Sequence, residues 1–357
     1  MGSMTTTPTL SDVARAAGVS YATADRVINK RGNVAQKSIT KVREAVSMLG
    51  YVRNVAAANL SRGRVYRLAF LVPQGRNAFF NRVRRHIHHT AQHFHAERVT
   101  VEIIEVAAFA VQNLQTTIAT VLEREIDGIA IVGLQSAALE APLSELRAKG
   151  VAVIGLVSDL PQDFRAAYIG IDNIVAGRTA ARMVGLSHGG RKGRVQVFVG
   201  SMDARDHADR LAGFREVIAA DFPQIEVLDP IMTKDDAAVV QARTQAALTE
   251  DPSLSALYNV GAGNSGLIAA LRQTPVGRPF CAVHELVAHS RQALLDRHID
   301  LVIDQRPDVE INRAFTVLRA LIDEQGIPPM PDLVPTIYVR DNLPADTLTD
   351  MMKAKDP

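Results

Sequence analysis

The chain has 357 residues, 47% hydrophobic and 22% charged, with a formal net charge of +2. These are globular values with room for more than one domain. They exclude a membrane-spanning chain, because no continuous apolar run is long enough. They also exclude a disulfide framework or thiolate metal cluster, since Cys281 is the only cysteine. The N-terminus has no secretory pattern, so the expectation is a cytoplasmic protein without membrane contact.

The stretch Thr9 to Asn29, TLSDVARAAGVSYATADRVIN, predicts two short helices joined by a tight turn. Ser11 is the candidate cap of the first, followed by Asp12 at the positive helix end. Val13, Ala14 and Ala17 form its apolar face, and Gly18 supplies the left-handed residue that ends it. Ser20 caps the second helix. That helix buries Ala24, Val27 and Ile28 and leaves Tyr21, Ala22, Asp25, Arg26 and Asn29 outside. A short helix with a polar outer face fits a DNA major groove. Residues 1–64 hold ten Lys and Arg against three Asp and Glu, a net +7, which leaves −5 for residues 65–357. Such a concentration suits a phosphate-binding module.

Val34 to Leu49 predicts a third helix, completing a headpiece of residues 9–53. Residues 54–64 follow, with a short helix-forming run at Asn54–Ser61 and a basic linker. A helix that short is marginal alone and forms only when something docks it. From Tyr66 the pattern changes to apolar strand runs separated by amphipathic helices. The runs are Arg67–Val72, Val101–Val106, Gly128–Val132, Val151–Leu156, Ala167–Ile171, Val195–Val199, Ile225–Leu228, Ala256–Val260, Phe280–Val283 and Leu301–Ile303. This order predicts an α/β fold of parallel sheets with helices on both faces. The length 65–357 fits two lobes, one of about 65–171 and 305–340, the other of about 172–304. Ligands bind beyond the carboxyl ends of such strands. The polar residues there are Asn77, Gln135, Ser158, Asp172, Arg210, Asn264, Glu285 and Gln305.

These segments resemble the LacI/GalR family of bacterial transcription repressors. The resemblance rests on the headpiece motif, on NVAQKSITKVREAVSMLGY, on the NVAAANLSRG hinge, and on GIDNIVAGRTA, RLAGF and VIDQRP downstream. It implies a small helix-turn-helix headpiece followed by a two-lobed domain similar to periplasmic sugar-binding proteins, with no cofactor and no catalysis. The implied partners are operator DNA, a second copy of the chain, and a small effector. Ser20, Tyr21, Ala22, Thr23, Asp25, Arg26, Asn29, Lys37, Asn54, Ala57 and Leu60 would face DNA. Of these, Leu60 would wedge into the minor groove and Ala57 would pack paired hinge helices. Arg53 stands where many members have proline, and Asp25 where many have serine. In the effector domain, Asn77 would bond a sugar hydroxyl, and Phe79 or Phe80 would stack on the sugar while the other packs the core. Arg210 would hold sugar oxygens through its fork of donors. Glu285 replaces a more usual aspartate. Asp172 and Gln305 sit where the chain crosses between lobes, and either bind ligand or fix the hinge. Lys234-Asp235-Asp236 lies where some members place an aromatic, which widens the expected effector from a sugar to a polyol or sugar acid.

Two rival signals exist. Gly261-Ala262-Gly263-Asn264-Ser265-Gly266 is a GxGxxG after a strand, with Glu285 about twenty residues on, as in dinucleotide-binding folds. It defines the alternative of an NAD-binding oxidoreductase or redox sensor fused to a DNA-binding headpiece. Histidines 86, 88, 89, 93 and 95 invite a metal reading, but no cysteine or carboxylate completes a ligand set at suitable spacing, so solvated helix histidines and no metal are expected.

Overall fold

The computed structural model describes residues 8–28, 32–51, 64–75, 77–274 and 277–345. The chain divides into two units, residues 1–64 and 65–357.

In the first unit, α1 (Leu10–Ala17) is capped by Thr9, not by Ser11. Asp12 is the reason. It sits three residues after Thr9, and its carboxylate accepts from the Thr9 backbone N–H at 2.9 Å while Thr9 Oγ1 accepts from Asp12 N. This reciprocal box satisfies donors that a cap at Ser11 would leave orphaned. Gly18 closes α1 at φ 61°. α2 (Tyr21–Ile28) begins after Ser20, whose Oγ accepts from Thr23 N at 3.1 Å. α3 (Gln36–Leu49) ends at Gly50. Val13, Ala14, Ala17, Ala24, Val42 and Ala45 form the small core. The side chains are short, so three helices of this length can approach closely enough to exclude water.

The second unit holds two sheets. β1 (Tyr66–Pro73), β2 (Val99–Val106), β3 (Gly128–Ile131), β4 (Ala152–Leu156) and β5 (Ala167–Ile169) form a parallel sheet in the order β2-β1-β3-β4-β5. The second sheet comprises β6 (Gly193–Val199), β7 (Ile225–Val227), β8 (Ile231–Met232), β9 (Ala256–Asn259), β10 (Phe280–His284), β11 (Leu301–Asp304) and β12 (Thr336–Tyr338). Its order is β12-β11-β10-β9-β6-β7, with β8 also pairing β6. All pairs are parallel except β11 with β12. The central strands are buried along their whole length, which is why they read as continuous apolar runs.

Helices cover both faces of each sheet. On the first sheet, α4 (Ala78–Phe94) packs one face, and α5 (Val111–Val121) and α6 (Glu140–Ala148) the other. On the second, α7 (Asn173–His188) and α8 (Arg205–Asp221) lie opposite α9 (Ala237–Glu250), α10 (Asn264–Arg272) and α11 (Ala288–Leu295). The last helix, α12 (Pro307–Ile322), returns to the first sheet beside α4. Phe315 anchors it there, with its ring 5.2 Å from Phe70 and 5.3 Å from Phe94.

The return corrects one expectation. Of the stretch 305–340 assigned to the first lobe, only α12 stays there. β12 adds antiparallel to the edge of the second sheet, pairing Ile337 with Ile303. The chain therefore crosses between lobes after β5, after β11 and before β12. No helix among the described residues is long and apolar enough to cross a membrane.

Candidate functional site

The carboxyl ends of both sheets face one cleft, which contains two adjoining cavities of about 250 and 360 Å³ with Asn77, Asp235 and Asp236 common to both. Phe80, Phe109, Ser158, Asp206 and His207 line the first cavity; Phe79, Asn264 and Glu285 line the second. Concave sites of this size and mixed lining suit small ligands.

The first lobe contributes mainly shape. Asn77 ends the β1–α4 turn, and its Oδ1 accepts from Phe79 N at 2.9 Å and Phe80 N at 3.4 Å, so that oxygen caps α4. Phe79 is buried in the first core, and its ring meets Phe80 edge-on at 5.1 Å. Ser158, after β4, has a buried Oγ without a hydrogen-bond partner.

The second lobe contributes charge. Arg210 on α8 is 2% exposed. Its Nε donates to Asn173 Oδ1 and its Nη1 to the Val260 carbonyl, both at 2.8 Å, while Nη2 has no partner. One turn earlier on the same helix lie Asp206 and His207. Asp206 Oδ1 is buried and unpartnered. His207 Nδ1 accepts from Ser201 N at 3.2 Å, which leaves the ring proton on Nε2, between Asp206 Oδ2 at 3.7 Å and Asp235 Oδ2 at 4.0 Å. Burial raises the Asp235 carboxyl above its ordinary pKa.

Glu285 follows β10 with φ 73°, a left-handed conformation that a non-glycine residue adopts at a cost of order 1 kcal/mol or more. Its Oε1 accepts from Gln305 Nε2 at 2.5 Å, and Oε2 and Gln305 Oε1 have no partner. Burial, reinforced by the nearby Asp304 charge, pushes the Glu285 carboxyl up to about 8. Glu310, on the first turn of α12, is fully buried with both carboxyl oxygens unpartnered, and burial holds it well above the carboxylate range. Arg82 and Asp304 form a buried pair at 2.7 Å that joins α4 of one lobe to β11 of the other.

Several expected residues have other positions. Gln135 is absent from both cavity walls. Its Nε2 donates to Asp159 O at 3.0 Å, and its backbone N–H reaches Asp203 O of the other lobe at the same distance. Asp172 is an exposed cap of α7, accepting from Val175 N at 3.1 Å, and faces a separate surface depression. Asn264 lines the second cavity, but both ends of its amide are occupied by Asn259 Nδ2 and the His284 carbonyl. Asp206, His207, Asp235 and Glu310 were not expected. Asp206 and His207 precede Arg210 by four and three residues, the spacing of one helix face, and that signal was readable.

The glycine-rich turn has its own explanation. A Cβ at Gly261 would lie 2.3 Å from Asp235 Oδ1, and one at Gly266 would lie 1.8 Å from the Ala237 carbonyl. Asp235 Oδ1 also accepts from Ala262 N at 2.9 Å. A protein carboxylate thus occupies the turn where a pyrophosphate would have to sit, which removes the basis of the dinucleotide alternative. On α4, His93 Nδ1 lies 2.9 Å from the His89 carbonyl oxygen, and among the described residues no three potential ligands converge on a metal position.

On the headpiece, Tyr21 is 58% exposed, and Ala22, Arg26 and Lys37 are also exposed. Thr23 and Asp25 are half-buried, and the Ser20 and Thr23 hydroxyls lie 2.9 Å apart. Asn29, Arg53, Asn54, Ala57 and Leu60 lie outside the described residues.

Residues 9–54 match the lacI family of bacterial regulatory proteins, and residues 68–326 match the periplasmic binding protein domain. The transcriptional regulator DegA of Bacillus subtilis is 26% identical over 216 residues, which span 59% of this chain and 60% of that protein. The transcriptional repressor PurR of Vibrio parahaemolyticus is 28% identical over 276 residues, or 76% and 79%. Among solved structures, a solute-binding protein from Burkholderia graminis in complex with D-arabinose superposes with a TM-score of 0.72 at 24% identity. The match covers 79% of this chain and 98% of that one. One from Agrobacterium vitis with bound α-D-tagatopyranose gives 0.71 at 20%, covering 80% and 98%. With residues 68–326 inside its model, the chain belongs to the periplasmic binding protein domain family, and it carries a lacI-family domain at its N-terminal end.

Proposed function

We propose that this protein is a ligand-responsive transcriptional regulator, a repressor that binds a pseudo-palindromic operator as a homodimer. One headpiece serves each half-site. The effector, a small polyhydroxylated molecule of the sugar or polyol class, occupies the cleft between the lobes. It is a binding protein and not an enzyme. The observation that carries the effector reading is the set of buried polar atoms without partners on residues that line the two adjoining cavities: Ser158 Oγ and Asp206 Oδ1 at the first, Glu285 Oε2 at the second. Each such atom costs about 1–3 kcal/mol unless something bonds it. A hydroxylated ligand would supply those bonds and at the same time draw the lobes together.

The DNA-binding reading rests on the exposed polar face of α2 and the +7 charge of residues 1–64. Tyr21, Ala22 and Arg26 are assigned to base or phosphate contacts, and the run 54–64 to the hinge that ligand disrupts. The test is selection of duplexes from a random pool by the full chain, followed by titration in rising salt. A selected inverted repeat bound by wild type, with affinity and selectivity lost in Tyr21→Ala with Arg26→Ala, supports the reading. Retention of nonspecific duplexes only would overturn it.

A further inference from the structure

We propose that the effector is a cation: a hydroxyl-rich amine of the amino sugar or amino polyol class, in preference to a neutral sugar or a sugar acid. The proposal rests on the reading of the inter-lobe cleft as the effector site. Its basis is the charge inventory of that cleft. Asp206, Asp235 and Glu285 line the cavities, and Asp206 and Glu285 are 6% and 5% exposed. The buried cations are Arg82 and Arg210. Arg82 is committed to Asp304, which it meets through both Nη1 and Nη2. Arg210 stands behind the cleft and acts on Asp235, Glu285 and Glu310, and Arg82 acts on Glu285 and Glu310 as well. Lys234 is exposed and lines the first cavity, where it is outnumbered by Asp206, Asp235 and Asp236. His207 Nε2 lies between Asp206 Oδ2 at 3.7 Å and Asp235 Oδ2 at 4.0 Å, one imidazole shared by two carboxylates.

The unpartnered atoms point the same way. Asp206 Oδ1 is an acceptor, Glu285 Oε2 becomes one when its carboxyl ionises, and Ser158 Oγ can accept or donate; the unpartnered guanidinium donors are Arg210 Nη2 and Arg82 Nε. Carboxyl groups outnumber cations on the cavity walls, and an ammonium group brings three donors and no acceptor. A buried carboxylate without a partner is costly, and a ligand cation removes that cost. A ligand carboxylate would add to it. Glu285 faces Asp304, Arg82, Arg210, Glu310 and Gln305, and remains largely protonated below about 8 while the site is unliganded. Ammonium binding near neutral pH therefore ionises it and releases its proton to solvent.

The test is calorimetric titration of the full chain with matched sets that share one carbon skeleton: D-glucose, D-glucosamine and D-glucuronate; the galactose equivalents; and glucitol, glucamine and gluconate. An amine binding at least about tenfold more tightly than its neutral and acidic counterparts is the expected result. Asp206→Asn should cut that preference by a similar factor, because the amine loses more affinity than its neutral counterpart. A neutral or acidic member binding as tightly as its amine, and weakened by Ser158→Ala, would overturn the cation and leave the effector site standing. Binding insensitive to both Ser158→Ala and Arg210→Ala, or no binding by any member, would remove the effector reading and this proposal with it. Ser158→Ala is included because Arg210 is fully buried and its loss can prevent folding.

Discussion

The two walls of the cleft are built on different terms. The first lobe presents Phe79, Phe80, Phe109 and the capping Asn77, a surface whose groups are mostly packed or already bonded. The second lobe presents Asp206, His207, Asp235 and Glu285, with Arg210 behind them. Under the proposed function, affinity from shape and apolar contact belongs to one lobe, and discrimination by charge to the other. Under that function, a ligand bonded to both walls favours whichever arrangement of the lobes gives it more contacts, by the difference between the two.

The largest way to break this division is to loosen the first wall. Phe315→Ala deletes the aromatic that holds α12 against Phe70 and Phe94, and should cost about 3–5 kcal/mol in chemical denaturation. A loss under 1 kcal/mol would show that α12 is held by other contacts. The buried link between the walls comes next. Arg82→Met strands Asp304 and should destabilise by about 3 kcal/mol or more, whereas Arg82→Met with Asp304→Leu should recover most of that loss. Equal losses in the single and double variants would contradict a desolvated pair.

A smaller effect of definite sign comes from Glu285. Its folded pKa of about 8 lies above the ordinary 4.5, so the fold binds a proton that the unfolded chain has released between those pH values. Stability accordingly falls as pH rises from about 4.5 to 8. Glu285→Gln should flatten part of that decline in melting temperature, leaving the share of Glu310, which is shifted in the same direction. An unchanged slope would place the Glu285 carboxyl in contact with water. The smallest effect sharpens the contrast between walls. Phe80→Ala should weaken every bound ligand by about 1 kcal/mol, irrespective of charge, while Asp206→Asn changes the ranking of ligands. If Phe80→Ala altered the ranking, the division would fail.

The sequence disclosed the framework better than the charged wall. Central parallel strands buried on both sides must be apolar throughout, so runs such as those of β3, β9 and β11 read directly, and Gly18 marked the headpiece elbow through a left-handed turn. β8 and β12, with two and three residues, carry too little pattern to stand out. Ser158, Arg210, Glu285 and Gln305 stand out in the sequence because they follow strands or match a family position. Asp235 was noted only as replacing an aromatic, since nothing local reveals that it reaches Ala262 N in a turn 27 residues on. Gln135 and Asp172 follow strands equally well. Their side chains are spent on a neighbouring carbonyl and a helix end, which strand periodicity does not report.

The three crossings between the lobes have a mechanical consequence. A single connection would act as a cord, leaving the lobes to twist and slide. Three connections side by side act as a door hinge: bending remains, and twisting strains three backbones at once. Relative motion of the two lobes is thereby biased toward one kind, a change of angle. A protease that cuts one crossing would leave the hinge in place, held by the other two and by α12 and β12, which exchange sides before the chain ends.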